Sequence, residues 1–319
     1  MRNLGCTNPA IKIYSSKRRL HKGHVIMDCA CKGEICLKLV HKGKAKDVYE
    51  IDKNTYLFHF SDRISAFDVE MPALIPKKGE VLCQFAKFWF DTLDVENHML
   101  ATRDLDKMIV KKLKMIPLEF VVRGYFYGSL VERYTKNQAI YPILRKLKPM
   151  LASRLPEPIF DPTTKSDIHD IPITEDQITR AGILSREELT YIKKKSISLY
   201  RQMTTIAGRA GFIVADTKFE FGHDTSGSLM ILADSLGPDE FRLWRKSDYM
   251  PGKVQESYDK QILRDWLIST GFKEIIDEQS RKGLKPPAPS VPPEIISRLS
   301  RRYIYAYEQI SHTKFRSKT

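Results

Sequence analysis

The chain has 319 residues, with 53 Lys plus Arg against 39 Asp plus Glu, a formal charge of +14, 42% hydrophobic residues and 29% charged ones. That composition excludes wholesale disorder and collagen-like repetition, and no apolar run approaches the roughly 18 residues of a membrane span, so a soluble globular protein of one large domain or two lobes is expected. The charge also argues against a broad nucleic-acid-binding face, because residues 1–26 carry +6, residues 281–319 carry +7, and only +1 is left for 27–280.

The segment 1–26, basic and free of acids, reads as a disordered extension, with a transit peptide or a start placed upstream of Met27 as the other readings. Five cysteines, an odd number, predict free thiols in a reducing compartment, the cytoplasm. Cys29, Cys31 and Cys36 lie near His21, His24 and His41 in sequence, but lack the paired C-x2-C spacing of common zinc sites, so ordinary thiols are expected.

From residue 35 the pattern becomes regular. Residues 35–41, 46–51 and 55–61 are β-favouring runs, and Asp52-Lys53-Asn54 between the last two is turn chemistry, which predicts an antiparallel meander. Val81, Leu82, Phe85, Phe88, Trp89 and Leu93 stand at helical spacing, so a helix over 81–93 should cover that sheet. Further strands are predicted at 108–114 and 118–125, with Pro117 marking a linker between lobes. The Pro-rich, acidic stretch 149–177 reads as a long functional loop. Ser185 with Glu188 three residues on is a capping box, opening a helix that ends at Gly208 and Gly211. FIVADTKFEFG and SLMILAD, joined by a turn at 224–228, read as a β-hairpin. Helices at 259–269 and 294–310 close the chain, the second after the Pro-rich connector 286–293.

Several positions carry chemistry. In GKAKDVYE, residues 43–50, Lys44 and Lys46 alternate on one strand face beside Gly43, where amides and two ammonium groups can meet a polyphosphate. The spacing is not that of a Walker loop, and two solvated lysines are the plainer alternative. In FIVADTKFEFG a period of two puts Asp216, Lys218 and Glu220 on one face, an arrangement costly in a buried sheet unless those charges bind something. A register opposing Lys218 to Asp234 would bring that carboxylate within roughly 8 Å of Glu220, a pair suited to Mg2+ when phosphates supply the other ligands. Arg123 and Ser129 sit at a strand end followed by glycines, Arg242 follows the turn Gly237-Pro238-Asp239, and Lys260 and Arg264 lie one helical turn apart. Arginine clusters suit phosphate and carboxylate, which the planar fork binds bidentately. Lys165, Asp167, His169 and Asp170 are polar loop residues that read either as closing over a ligand or as solvated.

Six ordered motifs, GKAKDVYE, SDRISAFD, VVRGYFYGS, ADTKFEFG, ADSLGPDEFRLW and YDKQILRDWL, make the chain resemble the SAICAR synthetase family over about 37–315. The resemblance implies an ATP-dependent ligase of de novo purine biosynthesis that joins L-aspartate to the carboxylate of carboxyaminoimidazole ribotide (CAIR), giving SAICAR, ADP and phosphate through an acyl-phosphate-type intermediate. It implies an α+β, two-lobed fold, with a small antiparallel β lobe at 27–114, a larger α+β lobe at 115–319 and ATP in the cleft. By the same resemblance Lys44, Lys46 and Lys165 contact ATP phosphates, and the adenine lies near 111–115, by Lys112 and Met115. Glu220 and Asp234 hold Mg2+. Arg123, Ser129, Arg242, Lys260 and Arg264 bind the ribotide phosphate and its surroundings, Ser65 and Asp68 line the acceptor pocket, and Asp216 and Lys218, the catalytic pair, face the imidazole. The partners implied are small molecules, neither nucleic acid nor membrane, with homo-oligomerisation left open. Two departures stand out: Ser235 where many relatives carry a second acid, and Lys46 where some have Arg. A different phosphotransferase, acting on a hydroxyl, is the competing enzyme reading, but the HRD and DFG sets of protein kinases are lacking. A nucleic-acid binder would need a module that the sequence does not display.

Overall fold

The computed structural model describes residues 37–136, 141–165, 171–224, 227, 230–284, 286 and 288–318. The extension 1–26, the cysteine–histidine cluster apart from His41, and the loop residues Asp167, His169 and Asp170 lie outside them.

The predicted meander is present as β1 (Lys38–Lys42), β2 (Lys46–Glu50) and β3 (Thr55–Phe60), with Asp52 accepting the Asn54 amide at 2.7 Å inside the turn. A hairpin that the sequence reading did not resolve follows, β4 (Arg63–Ala66) and β5 (Val69–Leu74). Its two loop residues, Phe67 and Asp68, both have positive φ, as the tightest hairpin turn requires. Then come α1 (Lys78–Thr92), β6 (Met99–Asp104) and β7 (Lys107–Lys111). The first sheet runs β1-β2-β3-β7-β6, and α1 buries Val81, Leu82, Phe85 and Trp89.

The chain then enters a second sheet through β8 (Lys114–Met115) and β9 (Leu118–Tyr125), followed by α2 (Ser129–Thr135) and α3 (Pro142–Leu147). The stretch expected to be loop from 149 to 177 is corrected here. It contains the eleven-residue strand β10 (Arg154–Thr164), paired with β9 from Ile159 to Thr164, and the start of α4 (Glu175–Arg180). Pro156, Pro158 and Pro162 disguised it, yet β10 is an edge strand with a bulge between Arg154 and Ile159, where missing amide donors are tolerated. Helix α5 (Arg186–Arg209) begins with the predicted box: Ser185 Oγ accepts from Glu188 N at 3.1 Å, and the Glu188 carboxylate accepts from Ser185 N at 2.7 Å.

The last elements are β11 (Phe212–His223), β12 (Met230–Ala233), β13 (Phe241–Arg245), α6 (Gln261–Ser269), α7 (Phe272–Arg281) and α8 (Pro293–Ser311). β11 is the spine of the second sheet, pairing along its length with β13, β9, β12 and β8. Helix α5 packs on it closely: Tyr200 donates to Val214 O at 2.7 Å, and a Cβ on Gly124 would fall 1.9 Å from the Tyr200 hydroxyl, so only glycine fits there. One continuous apolar core joins both sheets, from Phe58 and Trp89 through Phe120 and Phe219 to Leu299 and Ile310. Full burial of a phenylalanine such as Phe219 contributes about 3 kcal/mol. Among the described residues no helix is long and apolar enough to cross a membrane.

Candidate active site

Alternation along β11 sends Phe219 and Phe221 into the core and leaves Asp216, Lys218 and Glu220 on the other face. Asp216 stands opposite Arg123 on β9 and opposite Arg242 on β13. Its Oδ2 receives Arg242 Nη1 at 2.5 Å and Arg123 Nη1 at 3.3 Å. Arg123 Nε in turn donates to Asp161 of β10 at 2.5 Å, and its Nη2 to Ser129 Oγ at 2.9 Å. Charge therefore alternates across four adjacent strands, Asp161, Arg123, Asp216, Arg242, with Asp216 directly opposite both arginines and Asp161 diagonal to Arg123. Gly128 has a φ of +63, and a Cβ there would come 2.6 Å from Arg242 Nη2, so glycine lets the guanidinium lie against the backbone.

Arg123, Asp216 and Arg242 line a cavity of about 500 Å³, the size of a small-molecule site, which Ser129, Arg264 and Lys218 also face. The second half of the face is a lysine cluster. Lys218 Nζ lies 2.6 Å from Glu119 and 3.0 Å from Glu220, and Lys165 pairs with the other oxygen of Glu220. Burial pulls the Lys218 ammonium down, but Glu220 and Glu119 outweigh it and hold the group charged well above the ordinary lysine range. Lys46 reaches in from the first sheet to Asp234 Oδ1 at 2.5 Å and Ser235 Oγ at 3.1 Å. Ser235 thus helps to hold that lysine. Burial raises the Asp234 carboxyl, yet Lys46, Lys218 and Lys165 outweigh it and keep the group below the usual carboxylate range.

The expected hairpin register is off by one. Glu220 pairs with Ala233, and the ladder ends there. In a regular strand that shift would turn Asp234 to the opposite face. Asp234 instead has a φ of +65, which breaks the alternation and returns its carboxylate to the lysines. His98 secures the bend: its Nε2–H donates to Asp234 O at 3.0 Å, and burial, which lowers its pKa to about 4, keeps the ring neutral.

A third cluster gathers on Asp239, which sequence reading named only as a turn residue. Its carboxylate accepts from the Tyr303 hydroxyl of α8 at 2.9 Å and is ion-paired with Lys78 of α1 at 2.8 Å and with Lys260, at the start of α6, at 3.8 Å. Lys260 also points its ammonium at Ser65 Oγ, 3.5 Å away, and burial lowers its pKa to about 8. The neighbouring Glu240 is pushed up to about 8 by burial and by Asp239. Asp259 is pushed up to about 7 by burial, though it accepts the amides of Leu243 and Gln261 at 2.6 Å each.

Other sequence-selected residues stand outside these clusters. Lys44 pairs with Asp68 at 2.6 Å on the surface, Lys112 pairs with Glu50 and lies over the Tyr56 ring at 4.6 Å, and Met115 is exposed on β8. Sequence reading missed Glu119, Asp161, Arg133 and Lys78. A lone acid between Phe160 and Pro162 was the one visible sign of Asp161.

The sequence matches the SAICAR synthetase family over residues 39–279. It is 48% identical over 275 residues to the phosphoribosylaminoimidazole-succinocarboxamide synthase of Nitrosopumilus maritimus, covering 86% of this chain and 98% of that one. The enzyme of the same name from Candida maltosa is 38% identical over 295 residues, covering 87% and 96%. Among solved structures, the Saccharomyces cerevisiae SAICAR synthase complexed with SAICAR superposes with a TM-score of 0.73 at 33% identity, over 87% of this chain and 96% of that one. A SAICAR synthetase in complex with ADP superposes with a TM-score of 0.66 at 27% identity, over 86% and 98%. Sequence and fold converge on one lineage, and the chain belongs to the SAICAR synthetase family.

Proposed function

We propose that the charged face of β11 is where this chain carries out its family's reaction. That reaction is an ATP-dependent ligation in de novo purine biosynthesis: CAIR, L-aspartate and ATP give SAICAR, ADP and phosphate. A free carboxylate is a poor acylating agent at neutral pH. An oxygen of the CAIR carboxylate therefore takes the γ-phosphoryl group as the bond to ADP breaks. The aspartate nitrogen then bonds to the carbonyl carbon, loses its extra proton, and phosphate departs with the oxygen it had joined. Little covalent chemistry falls to the protein, whose task is positioning and charge neutralisation.

The observation that carries the assignment is the row of alternating charge whose Arg123, Asp216 and Arg242 line one cavity. Arg123, Arg242 and Arg264, with Ser129 and Lys260, hold the ribotide phosphate and its surroundings. Ser65 and Asp68 line the acceptor side, Asp216 orients two of those arginines, and Asp216 and Lys218 face the imidazole. Lys44, Lys46 and Lys165 take the ATP phosphates, with the adenine near Lys112 and Met115. We read 27–114 as the nucleotide lobe and 115–319 as the substrate and metal lobe. The support is that Lys44 and Lys46 come from the first sheet and its turn, whereas the arginine row belongs to the second. The reaction is placed in the cytoplasm, with small molecules as its partners.

Mg2+ is tested by the donor set. Among the described residues no group of three or more His, Cys, Asp or Glu stands together as an ion cage. Glu220 and Asp234 instead face lysines, which fits an ion that takes two protein carboxylates and completes its shell with phosphate oxygens and water. When bound, the ion offsets charge on the transferred phosphoryl group. The lysines hold the two carboxylates in place for it.

ADP release should require both CAIR and L-aspartate. ATP turnover indifferent to aspartate would sink the assignment.

A further inference from the structure

Behind the arginine row lies a buried group to which the reading above gives no task. Asp161, on the edge strand β10, is 1% exposed. Its Oδ2 accepts from Arg123 Nε at 2.5 Å and from Arg133 Nη2 of α2, and its Oδ1 accepts from the Tyr141 hydroxyl at 2.8 Å. Burial raises the Asp161 carboxyl, but Arg123 and Arg133 outweigh it and keep the group ionised below the usual carboxylate range.

Its effect on Arg123 is geometric. A guanidinium has five N–H donors in one plane, and Arg123 is gripped on three sides: by Asp161 at Nε, Asp216 at Nη1 and Ser129 at Nη2. Removing the Nε anchor leaves the fork held only at its Nη nitrogens, by the longer bond to Asp216 and the bond to Ser129. The same carboxylate draws Arg133 to the cavity wall, where its own Nε is sealed from water and without a protein partner. Two guanidinium groups thus share one buried anion and face one cavity.

We propose that Asp161, steadied by Tyr141, is a positioning residue that sets Arg123 and Arg133 as a fixed pair for the phosphate monoester of the ribotide. The inference rests on the reading of the cavity given above. Asp161 touches no substrate and acts only through the arginines. Were it merely a structural counter-ion, its loss would lower stability and harm every ligand alike. A positioning role instead harms the ribotide and spares the nucleotide.

The test is titration calorimetry on the full chain with SAICAR and, separately, ADP. In Asp161→Asn, SAICAR should bind roughly tenfold more weakly or worse, the scale of one misaligned charge-assisted bond, with ADP affinity within about twofold. Should Asp161→Asn fail to fold, Tyr141→Phe decides, with a loss of about threefold for SAICAR alone. Unchanged SAICAR binding in a folded variant, or equal losses for both ligands, overturns the inference. A parent chain that binds ADP but not SAICAR would instead sink the reading of the cavity, and this inference with it.

Discussion

The two ends of the charged face of β11 use one alternation of sign for different work. Around Asp216 the cations are arginines, Arg123 held by three partners and almost fully buried, and Arg242 held by Asp216 and Gln261. There the carboxylates aim the cations. Around Glu220 the cations are lysines, point charges on flexible stems, and Lys165 is half exposed. There the cations hold carboxylates whose partners would change on the proposed arrival of phosphate and metal. Arginine suits the first role because its geometry is set before the ligand comes, and lysine suits the second because its ammonium can turn from one oxygen to another. A sheet face can thus be rigid at one end and exchangeable at the other without any change in the strand beneath.

Substitution at the lysine end should give the largest effect. Glu220→Gln and Asp234→Asn should each cut turnover by about 100-fold or more while leaving the circular-dichroism spectrum intact, since charge neutralisation at the phosphoryl group contributes several kcal/mol. Mg2+ titrations that superpose on those of the parent would remove the metal role and with it half of the contrast. At the arginine end Arg242→Lys keeps the charge and loses the fork. The KM for CAIR should rise by about tenfold to 100-fold, with the KM for ATP little changed. An equal rise in both would show that the two ends are not separable.

The last effect is on stability rather than turnover and concerns Glu240, whose Oε2 is sealed from water. Its carboxyl is raised from 4.5 to about 8 by burial and Asp239, against the pull of Lys46. In that window the folded chain keeps a proton that the unfolded chain has lost, so stability falls as pH rises from about 4.5 to 8, by at most about 1.4 kcal/mol per unit. Glu240→Gln should flatten the dependence of melting temperature on pH in this range, while Asp259, raised to about 7 in the same direction, acts in both chains. Parallel curves for parent and variant would refute the shift.

Local chemistry was legible in the sequence, and long-range partnership was not. The capping box at Ser185 and Glu188, the turn at Asp52 and the alternation of β11 depend on neighbours a few residues apart, and each stands where the pattern put it. Strand β10 was misread because its prolines argue against a strand in general, and only its place at the sheet edge makes them harmless. The hairpin register is off by one along its length, and the bend that returns Asp234 to the lysines carries a hydrogen bond from His98, in a distant part of the chain. Six family motifs located Lys44, Lys46, Arg123, Lys218, Arg242, Lys260 and Arg264. They could not tell which carboxylate serves which, because Asp161, Asp216 and Arg123 meet only through strand pairing.

Asp239 has a consequence for how the protein is made. Its three partners come from α1, from the start of α6 and from α8, so they leave the ribosome at widely separated times. Lys78 has no exposed side-chain surface, and an ammonium is not buried that deeply without its counter-ion. The amino-terminal sheet and its helix therefore cannot take their final packing until the segment carrying Asp239 has been synthesised, and the hydroxyl of Tyr303 completes the cluster later still. Assembly of this cluster is therefore a late event in the life of the nascent chain, and a chain truncated before α8 lacks the Tyr303 hydroxyl that completes it.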